Sequence, residues 1–244
     1  MGAAAPDGEA PPDGEAAPSR MPQLSDTARH RLEPVIAMLA EPGAPSAVIE
    51  PDRAWSVHVA DSLSGLVFPE LAAAGTIADV GAGAGFPGLV LAAELPHARV
   101  DLIESIGRKC EFVERAAAAG GIGNARPINA RAEDWAAAGA AGREAYDAVT
   151  ARAVGRLSTL AELASPLLRP GGVLVAWKGR RDGDEEAELA RAAPGLGMEP
   201  VEVRWVGPYA GSRHRHLHLI RKTGATPPNL PRRAGMAKKR PAGA

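Results

Sequence analysis

Cysteine and aromatic residues are scarce in this chain of 244 residues. The only cysteine is Cys110, and Phe, Trp and Tyr together make up 4% of the sequence. A single cysteine cannot form an internal disulfide, which agrees with a reducing compartment, and a small buried apolar residue is its simplest interpretation. A disulfide-stapled scaffold is therefore excluded.

Long apolar runs are also lacking, and the N-terminus has no basic region followed by an apolar core. A membrane-crossing helix needs ~20 apolar residues, and a secretory leader needs that N-terminal pattern. We therefore expect a cytoplasmic protein, monomeric and without a membrane partner. Net charge is nearly absent as well: the formal value is −1. This sum hides an acidic N-terminal tail and two basic regions.

Composition divides the chain into four parts. Residues 1–22 contain Pro-Asp-Gly-Glu-Ala twice and have no apolar periodicity, so a disordered tail is expected. Apolar residues at helical spacing predict a small helical cap over residues 23–70. The main domain is predicted over residues 71–222. The Pro-rich, basic residues 223–244 are expected to form a flexible tail.

Strands alternate with helices in the main domain. Seven short strand patterns are visible, with helices predicted at 88–94, 107–119, 157–168 and 184–191. This alternation predicts an α/β, Rossmann-like fold: a mostly parallel seven-stranded sheet with helices on both faces and an antiparallel final hairpin. Ligands bind such sheets beyond the carboxyl ends of the strands.

A glycine-rich turn follows the first strand, in residues 76–88. Gly81, Gly83 and Gly85 alternate with alanines, and Phe86-Pro87-Gly88 then opens a predicted helix. Strand, glycine-rich turn and helix are typical of a nucleotide-binding βα unit. Glycine permits backbone conformations closed to other residues and lets a ligand approach the main chain.

Two cofactors are compatible with the turn's spacing. Residues 83–88 also fit the dinucleotide pattern, with Glu104 ~20 residues further on, which keeps an NAD(P)-dependent oxidoreductase as the alternative. Asp79, before the turn, would repel a pyrophosphate but suits a cationic sulfonium. No lysine or arginine lies between residues 76 and 96. We therefore favour S-adenosyl-L-methionine, with S-adenosyl-L-homocysteine as product.

Charged residues end the predicted strands. Glu104 ends the second strand, where its carboxylate can accept both hydroxyls of a ribose. Ala132 and Glu133 follow the third strand, where backbone groups and the Glu133 carboxylate could contact an adenine ring. Arg152 ends the fourth strand and is predicted to orient either the cofactor carboxylate or a phosphate backbone.

Basic residues follow the fifth predicted strand and also occur in the C-terminal region. They fit either a solvated surface or an RNA contact. Residues His214, His216 and His218 share a face if extended, but neighbouring arginines would repel a cation, so no metal site is expected. The predicted RNA-contacting residues are Lys178, Arg180, Arg181, Arg215, Arg232, Arg233, Lys238 and Lys239.

Taken together, these motifs resemble the bacterial small-subunit ribosomal RNA guanine-N7 methyltransferases, the RsmG or GidB family. The resemblance covers about residues 50–240, and its motifs are residues 58–63, 79–88, 104–109, 131–133, 150–153, 178–179, 215–217 and 231–235. It implies cofactor contacts at Gly81, Phe86, Ala132, Glu133 and Arg152. It also implies a partner, 16S rRNA in the small ribosomal subunit, methylated at N7 of guanine 527 in the 530 loop.

Guanine N7 carries a lone pair and no proton, so this reaction needs alignment rather than a general base. No catalytic base is therefore predicted, and the positioning candidates are Arg152, Lys178 and His216. The chain departs from the family at Glu104, where aspartate is more usual, at Val57, where arginine is usual, and near Ala47, where an asparagine-rich segment is missing. A non-catalytic RNA-binding protein that uses only the basic tail remains a third hypothesis.

Overall fold

The computed structural model describes residues 21–48 and 50–243. Almost all of the predicted N-terminal tail lies outside these residues. The division into four parts therefore stays a prediction at its N-terminal end.

One seven-stranded sheet forms the centre of the fold, in the order β3-β2-β1-β4-β5-β7-β6. The first five strands are parallel, and β7 runs antiparallel to both of its neighbours. The predicted mostly parallel sheet with a final antiparallel hairpin is therefore confirmed. The strands are β1 (Thr76–Val80), β2 (Arg99–Glu104), β3 (Ala125–Asn129), β4 (Tyr146–Arg152), β5 (Leu168–Lys178), β6 (Met198–Trp205) and β7 (His216–Lys222).

Helices cover both faces of the sheet, because successive strand residues point to opposite sides. In β1, Ile77 packs into the core that includes α1, α5 and α6, whereas Ala78 packs into the core that includes α8 and α9. The α-helices are α1 (Asp26–Met38), α2 (Pro51–Ala54), α3 (Asp61–Leu63), α4 (Pro69–Ala72), α5 (Gly88–Glu94), α6 (Gly107–Ala119), α7 (Ala132–Trp135), α8 (Leu157–Ala164), α9 (Gly183–Ala192) and α10 (Met236–Lys239). Within the described ranges, no helix has the length and apolarity needed to cross a membrane.

The N-terminal cap consists of α1 and a helical stretch over residues 51–67. Ser25 caps α1 by accepting a hydrogen bond from the Ala28 N–H, and Pro34 lies inside this helix. The stretch 51–67 changes its winding: a π-helical turn, Trp55–Ala60, separates α2 from α3. Turns of this kind are frequent at functional sites. Here the turn carries His58 to the carboxyl end of the sheet.

The structure differs from the sequence prediction in two elements. Helix α8 ends at Ala164 rather than at residue 168, because Pro166 disfavours helical backbone just before it. The C-terminal residues 223–243, predicted to be flexible, lie against the domain. Leu230 and Ala237 are 4% and 3% exposed. Two small apolar residues in a Pro-rich, basic stretch give no periodic signal, so composition alone did not reveal this packing.

Candidate functional site

The glycine-rich turn requires glycine at specific positions. The φ angles of Gly81 and Gly85 are +71° and +96°, in the left-handed region. A Cβ on Gly81 would lie 2.8 Å from a methyl of Val154, and one on Gly85 would lie 2.4 Å from Leu89. Gly83 has φ +60° but faces open space, with its nearest neighbour 3.8 Å from an added Cβ. Neighbouring side chains therefore pack closely against the turn at Gly81 and Gly85, whereas the turn faces open space at Gly83.

Asp79 fixes the base of this turn. Its carboxylate is buried and accepts hydrogen bonds from the Gly88 N–H at 2.9 Å and the Thr150 hydroxyl at 3.0 Å. Burial raises the pKa of Asp79 to about 6, although these hydrogen bonds act in the opposite direction. Asp79 is not among the residues lining the two cavities described below. These bonds give Asp79 a role in holding α5 against β1 and β4, and its predicted contact with a cofactor stays a prediction.

A cleft of about 770 Å³ opens where the strand order reverses between β1 and β4, beyond their carboxyl ends. This is where open α/β sheets bind their ligands. Residues of the turn, the helical cap and the ends of β4 and β5 line it. Four basic side chains also do so: Lys109, Arg152, Lys178 and Arg215. The absence of lysine and arginine near the turn in sequence therefore does not make the cleft free of cations, and charge alone does not exclude a pyrophosphate.

Arg152 is held by the helical cap at the floor of the cleft. Its Nη1 donates to Asp61 Oδ2 at 2.9 Å and to the Val57 carbonyl at 3.2 Å. The other Asp61 oxygen lies 3.4 Å from Arg215 Nε. Asp61 is 5% exposed. One buried carboxylate therefore orients two of the four basic side chains.

His58 completes this network as a neutral ring. Arg152 Nη2 donates to His58 Nδ1 at 3.2 Å, so the ring proton lies on Nε2 and can be donated to the Ser46 hydroxyl at 3.0 Å. The ring stacks on Phe86, with centroids 4.6 Å apart and planes 9° from parallel. Burial, together with the Arg152 charge, lowers the pKa of His58 to about 4.

A second, smaller cavity of about 170 Å³ shares Gly81 with the cleft. Glu104, Ala132 and Glu133 line it, so the structure brings these three predicted cofactor residues together. Glu104 accepts from the Gly83 N–H at 3.1 Å and from the Ile106 N–H at 2.9 Å. Each of its oxygens keeps a further acceptor site, as a ribose diol requires. One Glu133 oxygen, Oε1, also accepts from the Gly235 N–H at 2.7 Å, and the predicted contact of Glu133 with an adenine ring stays a prediction.

The predicted RNA-contacting residues separate into two groups. Four of them pair with acidic residues of this chain: Lys178 with Glu185, Arg181 with Glu186, Arg215 with Asp61 and Arg232 with Glu162. The other four are exposed and not paired with a carboxylate in the described part of the chain: Arg180, Arg233, Lys238 and Lys239. Only Lys178 and Arg215 of the eight line the cleft.

The three histidines near β7 do not share one face. His216 and His218 are buried in β7, whereas His214 precedes the strand with φ +54°. His216 Nδ1 lies 2.8 Å from the Gly179 carbonyl and His216 does not line the cleft, so its contact is to the loop after β5. Across residues 21–48 and 50–243, no group of three His, Cys, Asp or Glu side chains could hold a metal ion.

Three site residues were not predicted from the sequence. His58 and Asp61 lie in the motif at residues 58–63, which carried the family resemblance without indicating a role. Glu185 is buried in α9 and accepts from the Leu157 N–H at 2.6 Å and from Lys178 at 2.7 Å. It resembles any acidic residue in the first turn of a helix, so no sequence signal distinguishes it.

The strand order, the glycine-rich turn after β1 and the carboxylate that ends β2 define a Rossmann-like methyltransferase fold. A solved structure of Burkholderia thailandensis 1,6-didemethyltoxoflavin-N1-methyltransferase, with bound 1,6-didemethyltoxoflavin and S-adenosylhomocysteine, shares this fold. Its TM-score is 0.52 at 19% identity, and the match covers 85% of this chain and 95% of that one.

The family model for rRNA small subunit methyltransferase G, GidB, matches residues 44–217. Ribosomal RNA small subunit methyltransferase G of Rubrobacter xylanophilus is 44% identical over 198 residues, 79% of this chain and 74% of the relative. The Desulfitobacterium hafniense protein of the same name is 37% identical over 196 residues, 80% of each chain. The chain belongs to the rRNA small subunit methyltransferase G family, which confirms the resemblance.

Proposed function

We propose that the protein transfers a methyl group from S-adenosyl-L-methionine to N7 of guanine 527, in the 530 loop of 16S rRNA. The observation that carries this proposal is the junction of two cavities at Gly81. One cavity offers a buried carboxylate for a ribose, and the other is lined by basic side chains suited to an RNA backbone. A cofactor that spans the junction would meet its RNA substrate in the cleft.

The residues at the junction fit this cofactor. The open face of Gly83 leaves room against the main chain, and Glu104 keeps the acceptor sites that ribose hydroxyls need. Ala132 and the apolar side chains of Ile103 and Val154 line the smaller cavity, as an adenine ring requires. When bound, S-adenosylmethionine supplies an electrophilic methyl group on a sulfonium.

The cleft supplies alignment rather than proton transfer. Guanine N7 needs no base, and His58, which lines the cleft, is neutral with both ring nitrogens engaged. Arg152 is fixed by Asp61 and Lys178 by Glu185, so both present a defined positive surface to an incoming nucleotide. We propose Arg152 and Lys178 as positioning residues. His216, buried behind the loop after β5, would act through Gly179.

The substrate guanine has to be accessible in this scheme. In A-form RNA the major groove, which holds N7, is too deep and narrow for protein side chains. We therefore infer that the target base lies in a loop or is unstacked before transfer. The cleft's basic residues would hold the flanking phosphates in either case.

The other two hypotheses have less support. An NAD(P)-dependent oxidoreductase agrees with the glycine spacing, and the cleft's cations would tolerate a pyrophosphate, but family membership favours methyl transfer. A non-catalytic protein that binds RNA with the basic tail alone agrees less well with membership of a methyltransferase family.

The decisive experiment incubates the protein with labelled S-adenosylmethionine and either naked 16S rRNA or small subunits that lack this modification. Nuclease digestion and mass spectrometry should find 7-methylguanosine at position 527, and RNA with adenine at that position should gain no label. Absence of 7-methylguanosine from both substrates would refute the proposal. A thermal shift with NAD(P) but not with S-adenosylmethionine would favour the oxidoreductase.

A further inference from the structure

The C-terminal residues 230–240, here named the C-terminal strap, form part of the wall of the smaller cavity. Gly235, Ala237 and Lys238 line this cavity together with Glu104 and Ala132. The strap is more than a hundred residues from the glycine-rich turn in sequence, yet both border the same space. The cavity is therefore closed by a segment that composition alone assigns to a flexible tail.

Specific contacts tie the strap to the elements beneath it. The Leu230 carbonyl accepts from Arg143 Nη1 at 3.1 Å, and the Ala237 carbonyl accepts from the Thr159 hydroxyl at 3.1 Å. The Gly235 N–H donates to Glu133 Oε1 at 2.7 Å. Thr159 and Glu133 themselves line the smaller cavity. A displacement of the strap would therefore change the cavity's wall directly.

A two-bond ion pair fixes the middle of the strap. Arg232 Nε and Nη2 donate to the two oxygens of Glu162, at 2.6 and 2.5 Å, and Nη2 also donates to the Arg240 carbonyl at 2.7 Å. Glu162 is 3% exposed, so it depends on this guanidinium for neutralisation. Arg233, the next residue, is exposed and forms no ion pair within the described residues. The two adjacent arginines thus have different environments.

We propose that the C-terminal strap is an integral wall of the cofactor site, with Arg232 and Glu133 as positioning residues that set affinity for the adenosine part of the cofactor. This inference rests on the proposed use of S-adenosylmethionine. The contacts that hold the strap point inward, toward α7 and α8, and the space they close has the apolar side chains Ile103, Val154 and Leu163 in its wall. Such a space suits an adenine ring better than it suits a phosphate.

Because cofactor binding and strap stability are linked, the inference can be tested by measuring either one. If the strap completes the site, cofactor binding must stabilise the strap by the same free energy by which the ordered strap strengthens cofactor binding. Trypsin cleaves after Lys and Arg, and the strap contains Arg232, Arg233, Lys238, Lys239 and Arg240. S-adenosylhomocysteine should therefore protect the strap of the wild-type protein from trypsin.

The binding experiment compares two neighbouring charge-removing variants of the full chain by calorimetric titration with S-adenosylhomocysteine. Arg232→Ala is expected to raise Kd about tenfold, and Arg233→Ala to change it less than about twofold. Glu133→Ala should also weaken binding, and Glu133→Gln, which keeps an acceptor oxygen for Gly235, should restore most of it. Thermal unfolding without ligand identifies the temperature at which every variant is folded, and titrations are made below it.

The outcomes separate this inference from the proposed function. If the wild-type protein neither binds S-adenosylhomocysteine nor methylates RNA, the proposed function fails and the inference fails with it. If the wild-type protein does both, but folded Arg232→Ala and Glu133→Ala bind as tightly as wild type and the strap gains no protection, the inference alone is overturned. Equal losses of small-subunit binding in Arg232→Ala and Arg233→Ala, with Kd for S-adenosylhomocysteine unchanged, would instead identify an RNA-binding tail. If Arg232→Ala does not fold, the inference is tested by trypsin protection of the wild-type strap and by the comparison of Glu133→Ala with Glu133→Gln.

Discussion

Asp61 connects three other residues that line the cleft, Arg152, Arg215 and Trp177. Its carboxylate contacts two arginines, and its backbone carbonyl accepts from the Trp177 indole N–H at 2.8 Å. The same residue therefore joins the helical cap to the ends of β4 and β5. Both the charge and the position of the Asp61 carboxylate matter to Arg152, because the Arg152 side chain is largely withdrawn from solvent.

Asp61→Asn should disorder Arg152 and lower methyl transfer. Removing one partner of a buried ion pair costs roughly 3–5 kcal/mol, and we expect the lower end because the Arg152 side chain keeps 16% exposure. Urea unfolding measures this cost, and single-turnover kinetics should show about 100-fold slower transfer, as loss of alignment implies. Glu202→Gln is the control, since it breaks a more exposed pair with Arg204, expected to contribute less than about 1 kcal/mol. Equal losses of unfolding free energy in Asp61→Asn and Glu202→Gln would contradict the role of Asp61 in fixing Arg152.

His58 should make the protein less stable in mild acid. Its pKa is about 4 in the folded protein, below the ordinary value of 6.5, so the unfolded chain takes up the proton first. The stability that neutral His58 contributes is complete above pH 6.5 and is lost as the pH falls from 6.5 toward 4. We expect a loss of roughly 1–2 kcal/mol, discounted because the ring is only partly buried.

Denaturant unfolding at pH 7 and pH 5 measures this effect as a difference between variants. His58→Asn should have a shallower pH dependence than wild type, while His97→Asn, at an exposed position, should match wild type. The comparison with wild type is needed because two other buried groups have shifted pKa values in the same pH range. His218, whose pKa burial also lowers to about 4, acts in the same direction, and Asp79, whose pKa burial raises to about 6, acts in the opposite one. Parallel curves for His58→Asn and wild type would exclude His58 as a contributor.

At the scale of elements, the turn between β1 and α5 allows the effect of backbone strain on stability to be measured separately from the effect on ligand binding. Gly83 and Gly121 have nearly the same φ, +60° and +59°, and an added Cβ meets nothing closer than 3.8 Å at the first and nothing within 4 Å at the second. Only Gly83 lines the cleft. The two glycines therefore form a matched pair.

Gly83→Ala and Gly121→Ala should each destabilise the fold by about 1 kcal/mol, the cost of a left-handed alanine. Only Gly83→Ala should weaken S-adenosylhomocysteine binding, by about tenfold or more, because its methyl group would project into the space proposed for the cofactor. Thermal unfolding and calorimetry measure the two effects separately. Unchanged affinity in Gly83→Ala would place the cofactor away from this turn.

The alternation of elements was predictable because β1, β2, β4 and β5 each carry a short, mostly apolar run bounded by glycine, proline or charge. In β3 this pattern is weaker, since Arg126 and Pro127 lie inside the strand. The residues that close the site were not. Asp79 has the right position for a cofactor contact, but burial and its bond to Gly88 give it a structural role. His214 continues an apparent strand alternation that its positive φ interrupts. The C-terminal strap depends on the pairing of Arg232 with Glu162 across 70 positions, and such long-range pairs leave no local periodicity.

At the scale of the whole molecule, a formal net charge of −1 conceals a basic surface at the carboxyl ends of the strands. Part of that surface is neutralised within the protein: Arg181 makes two hydrogen bonds to Glu186, at 2.8 and 2.7 Å. Arg180, next to it, is exposed and contacts the ring of His214 instead. Arg180 follows the cleft residues Lys178 and Gly179 without lining the cleft itself, so it offers free positive charge beside the cleft and should have a measurable effect on RNA binding.

Arg180→Ala should weaken binding to unmethylated small subunits and reduce the salt dependence of that binding. Removing one ion pair between the protein and an RNA phosphate lowers the slope of log K against log salt by roughly 0.7–0.9. Arg99→Ala is the control, because Arg99 begins β2, at the amino ends of the strands and away from the cleft at their carboxyl ends, and its removal should leave the slope unchanged. Arg181→Ala should give an intermediate result, since Glu186 already competes for its guanidinium. Filter-binding titrations between about 50 and 200 mM salt, the range over which such ion pairs are resolved, provide the slopes. If Arg99→Ala lowers the slope as much as Arg180→Ala does, the RNA is held by the overall charge of the protein and not by the basic residues beside the cleft.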